Sequence, residues 1–202
     1  MGSRWLRRTL SAGILCVLMA LLPLPAGAPF DAPEALAFAP IPGESELDWN
    51  QVAAGGITTG ANGSINTLQV YDGALYAGTS NMLGCDLYRY DGLQWEMLVG
   101  EGLPTYRSPG FGNIENDTIT AMAVFEGALY MGTLNMNTGC ELWRYDGDGF
   151  QKLVGVGRNP GFGDVDNYSI GAMAAFGDFL YIGTSNDDGC ELWRYDGIDF
   201  DQ

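Results

Sequence analysis

The nine residues GCELWRYDG at 139–147 recur letter for letter at 189–197, and a near copy, GCDLYRYDG, stands at 84–92. Each copy carries a cysteine (Cys85, Cys140, Cys190), an acid and an arginine (Arg89, Arg144, Arg194). Three thiolates could hold a soft metal, and three guanidinium groups could clamp a carboxylate. A second set of candidates lies in the loops. Asp164, Asp166 and Asn167, with Asp187 and Asp188, offer the hard oxygens that calcium takes, without the spacing of an EF-hand. Phe111 and Phe162 sit in PGFG segments beside amides, where a ring either plugs its loop against the blade or stacks on a sugar or peptide, and Asn135 and Asn186 complete a ligand-binding set. No histidine occurs, which removes the commonest general base near neutral pH and excludes a Ser-His-Asp relay. No catalytic residue stands out, and the reading leans away from an enzyme.

The elements that must position these groups are set by the repeat. Ile65, Ile119 and Ile170 open equivalent stretches, INTLQVYDGALYAGTSN, ITAMAVFEGALYMGTLN and IGAMAAFGDFLYIGTSN, 54 and 51 residues apart. Within one period, residues 118–125 and 128–135 read as strands rich in β-branched and apolar residues around a tight Glu-Gly turn. Residues 140–145 form a third strand, Asp146-Gly147 a turn, and residues 150–154 a fourth. Alternation along strand three points Cys140, Leu142 and Arg144 one way and Glu141, Trp143 and Tyr145 the other. Four short antiparallel strands per fifty residues, repeated, match a β-propeller blade. The expected fold class is therefore all-β: three four-stranded antiparallel blades in an incomplete ring. The units span about 62–100, 116–155 and 167–202. Residues 46–52 resemble the start of strand four in the last copy and read as an extra outer strand.

The pattern LY-x-GT, then ELWRYDG, then an aromatic resembles the secreted bacterial and archaeal β-propeller repeats of kelch-like or Asp-box-like kind over residues 49–202. The Gly-Gly pair that a kelch repeat carries after its first strand is absent from the repeats, and Asp91 to Trp95, Asp146 to Phe150 and Asp196 to Phe200 are four apart where an Asp-box has five. The resemblance implies a propeller. Three blades fall short of the usual four to eight, so either further blades or self-association must complete the ring.

In such a ring, repeat-equivalent cysteines are about 9 Å or more apart, beyond the roughly 7 Å Cα limit of a disulfide. They are expected as small buried hydrophobes between blades. The arginines spread around the ring instead of converging on one ligand, and each is expected to pair with a local acid. The longer two-to-three and four-to-one loops share one face, which is where binding is expected. Asn62, Asn116 and Asn167 fit the glycosylation pattern.

Residues 1–28 read as a secretory signal: Arg4, Arg7 and Arg8, an apolar run over residues 10–22, then Ala26-Gly27-Ala28. Residues 29–45 form a spacer before the repeats at 46–202. All 25 acids but only six of the nine bases follow residue 28, a net charge of −19 for that part. Such a surface repels phosphate backbones and suits a protein outside the cell. The expectation is an exported, non-catalytic binding or scaffolding module, secreted or at the cell surface, with a glycan or protein ligand, calcium as the sole candidate cofactor, and no membrane span after signal cleavage. Two alternatives stand beside it: a fragment of an extracellular propeller hydrolase or lyase whose catalytic residues lie in other blades, and a structural adhesion repeat.

Overall fold

The computed structural model describes residues 50–57 and 61–202. The expected signal segment, the spacer and the first part of the extra outer strand lie outside the described residues, and residues 50–52 are not assigned to a strand. The rest is all-β, twelve antiparallel strands with only three short 3-10 segments, and the sheet does not close into a barrel. Among the described residues no helix is long and apolar enough to cross a membrane.

Hydrogen bonding divides the strands into three meanders of four. The first comprises β1 (Ser64–Tyr71), β2 (Ala74–Ser80), β3 (Leu87–Tyr90) and β4 (Trp95–Val99). The second has β5 (Thr118–Phe125), β6 (Ala128–Leu134), β7 (Leu142–Tyr145) and β8 (Phe150–Val154). The third has β9 (Ser169–Phe176), β10 (Phe179–Ser185), β11 (Leu192–Tyr195) and β12 (Phe200–Asp201). Within each meander successive strands pair along their length. Between meanders one strand contact suffices, Ser80 with Thr118 and Leu134 with Ser169.

The turns follow their sequences. At β5–β6, Glu126 and Gly127 both have positive φ (46° and 71°), the backbone of a two-residue hairpin whose twist matches the strands. The Asp-Gly turns work differently. Asp146 Oδ1 accepts from the N–H groups of Asp148 and Gly149, and Asp91 and Asp196 repeat the pattern. These backbone donors hold all three carboxyls below the usual range, since they favour the charged form. Strand three is shorter than the expected 140–145: the Cys140 backbone bonds to the loops at Asn167 and Gly161, and Glu141 N–H is taken by the Thr133 side chain.

The core lies between meanders. Tyr71, Tyr76, Leu87, Met122, Met131, Trp143 and Tyr145 fill the first junction; Ala121, Ala123, Cys140, Leu142, Ile170, Leu180, Ile182 and Tyr195 fill the second. Strand three therefore alternates as its sequence implies, with Trp143 and Tyr145 in one cluster and Cys140 and Leu142 in the other. The two junctions repeat one geometry. Tyr76 meets Tyr145 at 6.2 Å between ring centroids, and the equivalent Tyr130 meets Tyr195 at 6.1 Å.

Candidate functional site

At the loop end of each meander a buried acid collects polar groups from elements far apart in sequence. In the second meander the acid is Glu141. Strand β6 fixes its backbone: Thr133 N–H donates to the Glu141 carbonyl (3.0 Å), and Glu141 N–H donates to Thr133 Oγ1 (2.9 Å). Its Oε2 accepts from Asn116 Nδ2 and Trp143 Nε1, both at 2.9 Å. Its Oε1 accepts from Lys152 Nζ at 2.9 Å and Asn113 Nδ2 at 3.4 Å. Asn116 continues the network, donating also to the Gly110 carbonyl (2.8 Å) and accepting from Asn135 Nδ2 (2.9 Å) and Thr133 Oγ1 (3.3 Å). A buried charge needs this degree of pairing.

The third meander repeats the knot. Glu191 Oε2 accepts from Asn167 Nδ2 (2.7 Å) and Trp193 Nε1 (2.8 Å), while Asn167 Oδ1 accepts from Thr184 Oγ1 (2.9 Å) and Asn186 Nδ2 (3.2 Å). In the first meander the acid is the shorter Asp86. Its Oδ2 accepts from the Tyr88 hydroxyl (3.3 Å), which itself accepts from Asn62 Nδ2 (3.0 Å), and Thr79 Oγ1 donates to Asn62 Oδ1 (2.8 Å).

The PGFG segments seal the second and third knots. Gly110 and Phe111 have φ of 64° and 59°, and Gly161 and Phe162 57° and 62°. A phenylalanine in the left-handed region is strained, and packing holds it there. Phe111 stacks on Trp143 (4.9 Å, 16°) and Phe162 on Trp193 (5.2 Å, 19°). In the first meander the buried Ile57 packs against Tyr88 at the corresponding place.

These contacts locate each residue expected to bind ligand or metal. Phe111 and Phe162 are buried and their rings spent on the tryptophans. Asn135 and Asn167 are fully buried knot members, and Asn186 donates to Asn167 and to Asp164 Oδ2. Asp164 Oδ1 accepts from Asp166 N–H. Asp166, Asp187 and Asp188 remain exposed and, with Met136, Val165 and Tyr168, border an open recess of about 220 Å³ between the second and third meanders. There the Tyr168 hydroxyl donates to Asp187 Oδ1 at 3.3 Å, and the neighbouring Asp187 charge pushes the phenol's pKa up. No cluster of three or more His, Cys, Asp or Glu side chains is placed to hold a metal among the described residues. Asn116 and Asn167 have both Nδ2 hydrogens engaged in buried bonds, so neither can carry a glycan in this fold.

Each arginine of the repeat pairs locally, Arg89 with Glu96, Arg144 with Asp146 and Arg194 with Asp201. Cys85, Cys140 and Cys190 are free thiols. Burial pushes Cys85 well up and Cys140 to about 12, which leaves both as inert protonated packing groups. The centre of each knot, the acid between cysteine and leucine, escaped the sequence reading of function. Its available signal was an acid repeated between two apolar positions, cysteine and leucine.

Set beside known proteins, the chain matches no family model and no curated relative.

Proposed function

We propose that the three meanders are blades of a β-propeller and that the protein is an exported, non-catalytic binding and scaffolding module at or outside the cell surface. The observation that carries the reading is the repeated junction with its unmatched halves. Phe125 is 6% exposed in the second meander, but its equivalent Phe176 is 76% exposed, and Leu192 is 62% exposed where Leu142 is buried. The opposite face is left open at the other end: Ile65, Leu68 and Val70 are exposed, whereas Ile119 and Met122 are buried. One end thus presents the half of the junction that the other end lacks. Apolar faces of this kind call for a neighbour, and another unit of the same repeat is the neighbour that fits.

The ligand-binding role falls to the recess bordered by Met136, Asp166, Tyr168, Asp187 and Asp188, whose polar groups point outward while those of the knots are consumed. A tyrosine ring beside carboxylates and amides suits a polyhydroxylated ligand such as a glycan.

Size-exclusion chromatography with light scattering tests the scaffold: concentration-dependent association is expected, reduced by Phe176→Asp. A monomer with no tendency to associate would count against it. A glycan array, with Asp187→Ala and Tyr168→Ala as controls, tests the recess, and an array without signal would remove the binding role.

A further inference from the structure

Each junction between meanders is built from a knob and a notch. Ile119, near the start of β5, seats against Gly78 of β2, and Ile170, near the start of β9, seats against Gly132 of β6. A Cβ added at these glycines would lie 2.7 Å and 2.5 Å from the isoleucine Cβ atoms, so only a missing side chain admits the knob. Both isoleucines are fully buried. The next glycine in the series is Gly183 of β10, which pairs with Ala172 and Leu192 as Gly132 pairs with Ala121 and Leu142. Its notch is empty among the described residues: a Cβ there would meet only Ala172 of the adjacent strand, at 3.9–4.0 Å. The first isoleucine in the series is Ile65 of β1, and it is 47% exposed. One end of the molecule therefore holds a notch without a knob, and the other a knob without a notch.

Three further features repeat this offset. Gly84 and Gly139 are buried against the PGFG loops, where an added Cβ would lie 2.7 Å from Pro109 and 3.0 Å from Gly161, whereas Gly189 is exposed with nothing within 4 Å. Cys85 and Cys140 N–H donate to the Asn116 and Asn167 carbonyls, each at 2.8 Å, whereas Cys190 is exposed. The equivalent acceptor for Cys190 is the carbonyl of Asn62, a residue that borders an open recess of about 230 Å³ together with Ser64 and Ile65. Aromatic packing is divided in the same way. At the second junction the Phe125–Tyr130 pair receives Tyr195, which is stacked on Phe200. Phe176 and Tyr181 form the same pair at the open third meander, and Tyr90 is stacked on Trp95 in the first.

We infer that the first meander of one chain docks on the third meander of a second copy, head to tail, with Ile65 seated in the Gly183 notch. The inference rests on the reading of the meanders as blades of one repeat and fixes the register in which copies meet. Ser185 then bridges Ser64 as Ser80 bridges Thr118 and Leu134 bridges Ser169. Leu68 takes the place of Met122, Tyr90 that of Tyr195, and Cys190 closes on the Asn62 loop. A second copy is the occupant because each chain carries both halves, so every copy supplies what another lacks. Such a contact joins unlike surfaces, and it closes into a ring or continues as an open assembly according to the rotation per unit.

The test is size-exclusion chromatography with light scattering on the full chain and two surface variants. Ile65→Gln blunts the knob, and Gly183→Gln fills the notch from an extended strand position with open space before it. Each should keep the Tm of the monomer and weaken self-association by about tenfold or more. Mixed at concentrations where each alone is monomeric, the two should form a 1:1 pair, because the intact notch of the first accepts the intact knob of the second. Maleimide labelling of Cys190, read by peptide mass, should slow as the wild-type concentration rises and stay fast in either variant alone. Association of wild type that both variants share equally overturns the head-to-tail register and leaves the scaffold reading standing. So does a weakening that mixing fails to restore. A wild type that is monomeric at every concentration removes the scaffold reading along with this one. Should a variant fail to fold, Leu68→Asp replaces Ile65→Gln and Phe176→Asp replaces Gly183→Gln, with the same 1:1 pairing expected on mixing.

Discussion

The first and second meanders share register, turns and cross-unit tyrosine packing, yet they neutralise their central acid in different ways. In the second, Glu141 is met by Lys152, Trp143, Asn116 and Asn113. In the first, Asp86 Oδ2 accepts from the Tyr88 hydroxyl, hydrogen bonds from Asn62 and Asn81 also favour its charged form, and among the described residues no lysine or arginine is paired with it. The backbone therefore does not depend on how the knot is wired. What the wiring changes is the stability of each unit.

Deleting the two acids should separate the two wirings most sharply. Glu141→Ala strands a half-buried lysine, an indole N–H and two amides, and should cost about 3–5 kcal/mol in urea unfolding. Asp86→Asn removes a buried charge that lacks a paired cation and should change stability by no more than about 1 kcal/mol, in the stabilising direction at pH 7. Equal losses from the two substitutions would erase the contrast. Next in size, Phe111→Ala should cost about 3 kcal/mol, since the buried ring is lost while the strained left-handed backbone gains some relief.

A pH series distinguishes the two acids further. Because burial raises the folded-state pKa of Asp86 above 3.8, its protonated form is favoured in the folded state. That contribution is fully present below the unfolded value and lost as pH rises through the folded one. The advantage of Asp86→Asn over wild type should thus be largest at neutral pH and shrink as the solution is acidified towards pH 3.8. The Asp91, Asp146 and Asp196 carboxyls, lowered by their turn N–H donors, act oppositely: their contribution is present above the ordinary value and lost on acidification through the lowered one. The smallest effect belongs to the β5–β6 hairpin. Glu126 at φ 46° should yield to asparagine with a gain of about 0.5 kcal/mol, visible as a small rise in Tm, whereas Asp72 at the same turn of the first meander is already a tolerant residue.

Much of this architecture was legible beforehand. β5 and β8 begin and end where alternation and turn residues place them, and the opposite faces of strand three follow from period two. The local pairing of Arg89, Arg144 and Arg194 was legible too, because repeat symmetry forbids their convergence. Three-dimensional wiring was not. Asn135 and Asn167 read as exposed loop amides, and their burial depends on Glu141 and Glu191 arriving from another strand. Phe111 and Phe162 were legible as rings that plug their loops against the blade, but nothing local shows that their partners are Trp143 and Trp193. The part played by Ile57 was hidden as well, since GGITTGAN does not spell PGFG even though it ends in the same asparagine position.

The single strand contacts between meanders, Ser80 with Thr118 and Leu134 with Ser169, have a mechanical consequence. Load applied along the chain would reach each unit through one strand bridge, a few loop backbone bonds such as those from Asn81 and Cys85 N–H to the Asp117 and Asn116 carbonyls, and a side-chain interlock, not through a continuous ladder. The molecule should yield in steps, one meander per rupture. The third, with its outer face bare, should give way at the lowest force, and the second, clasped on both sides, should be the last to extend.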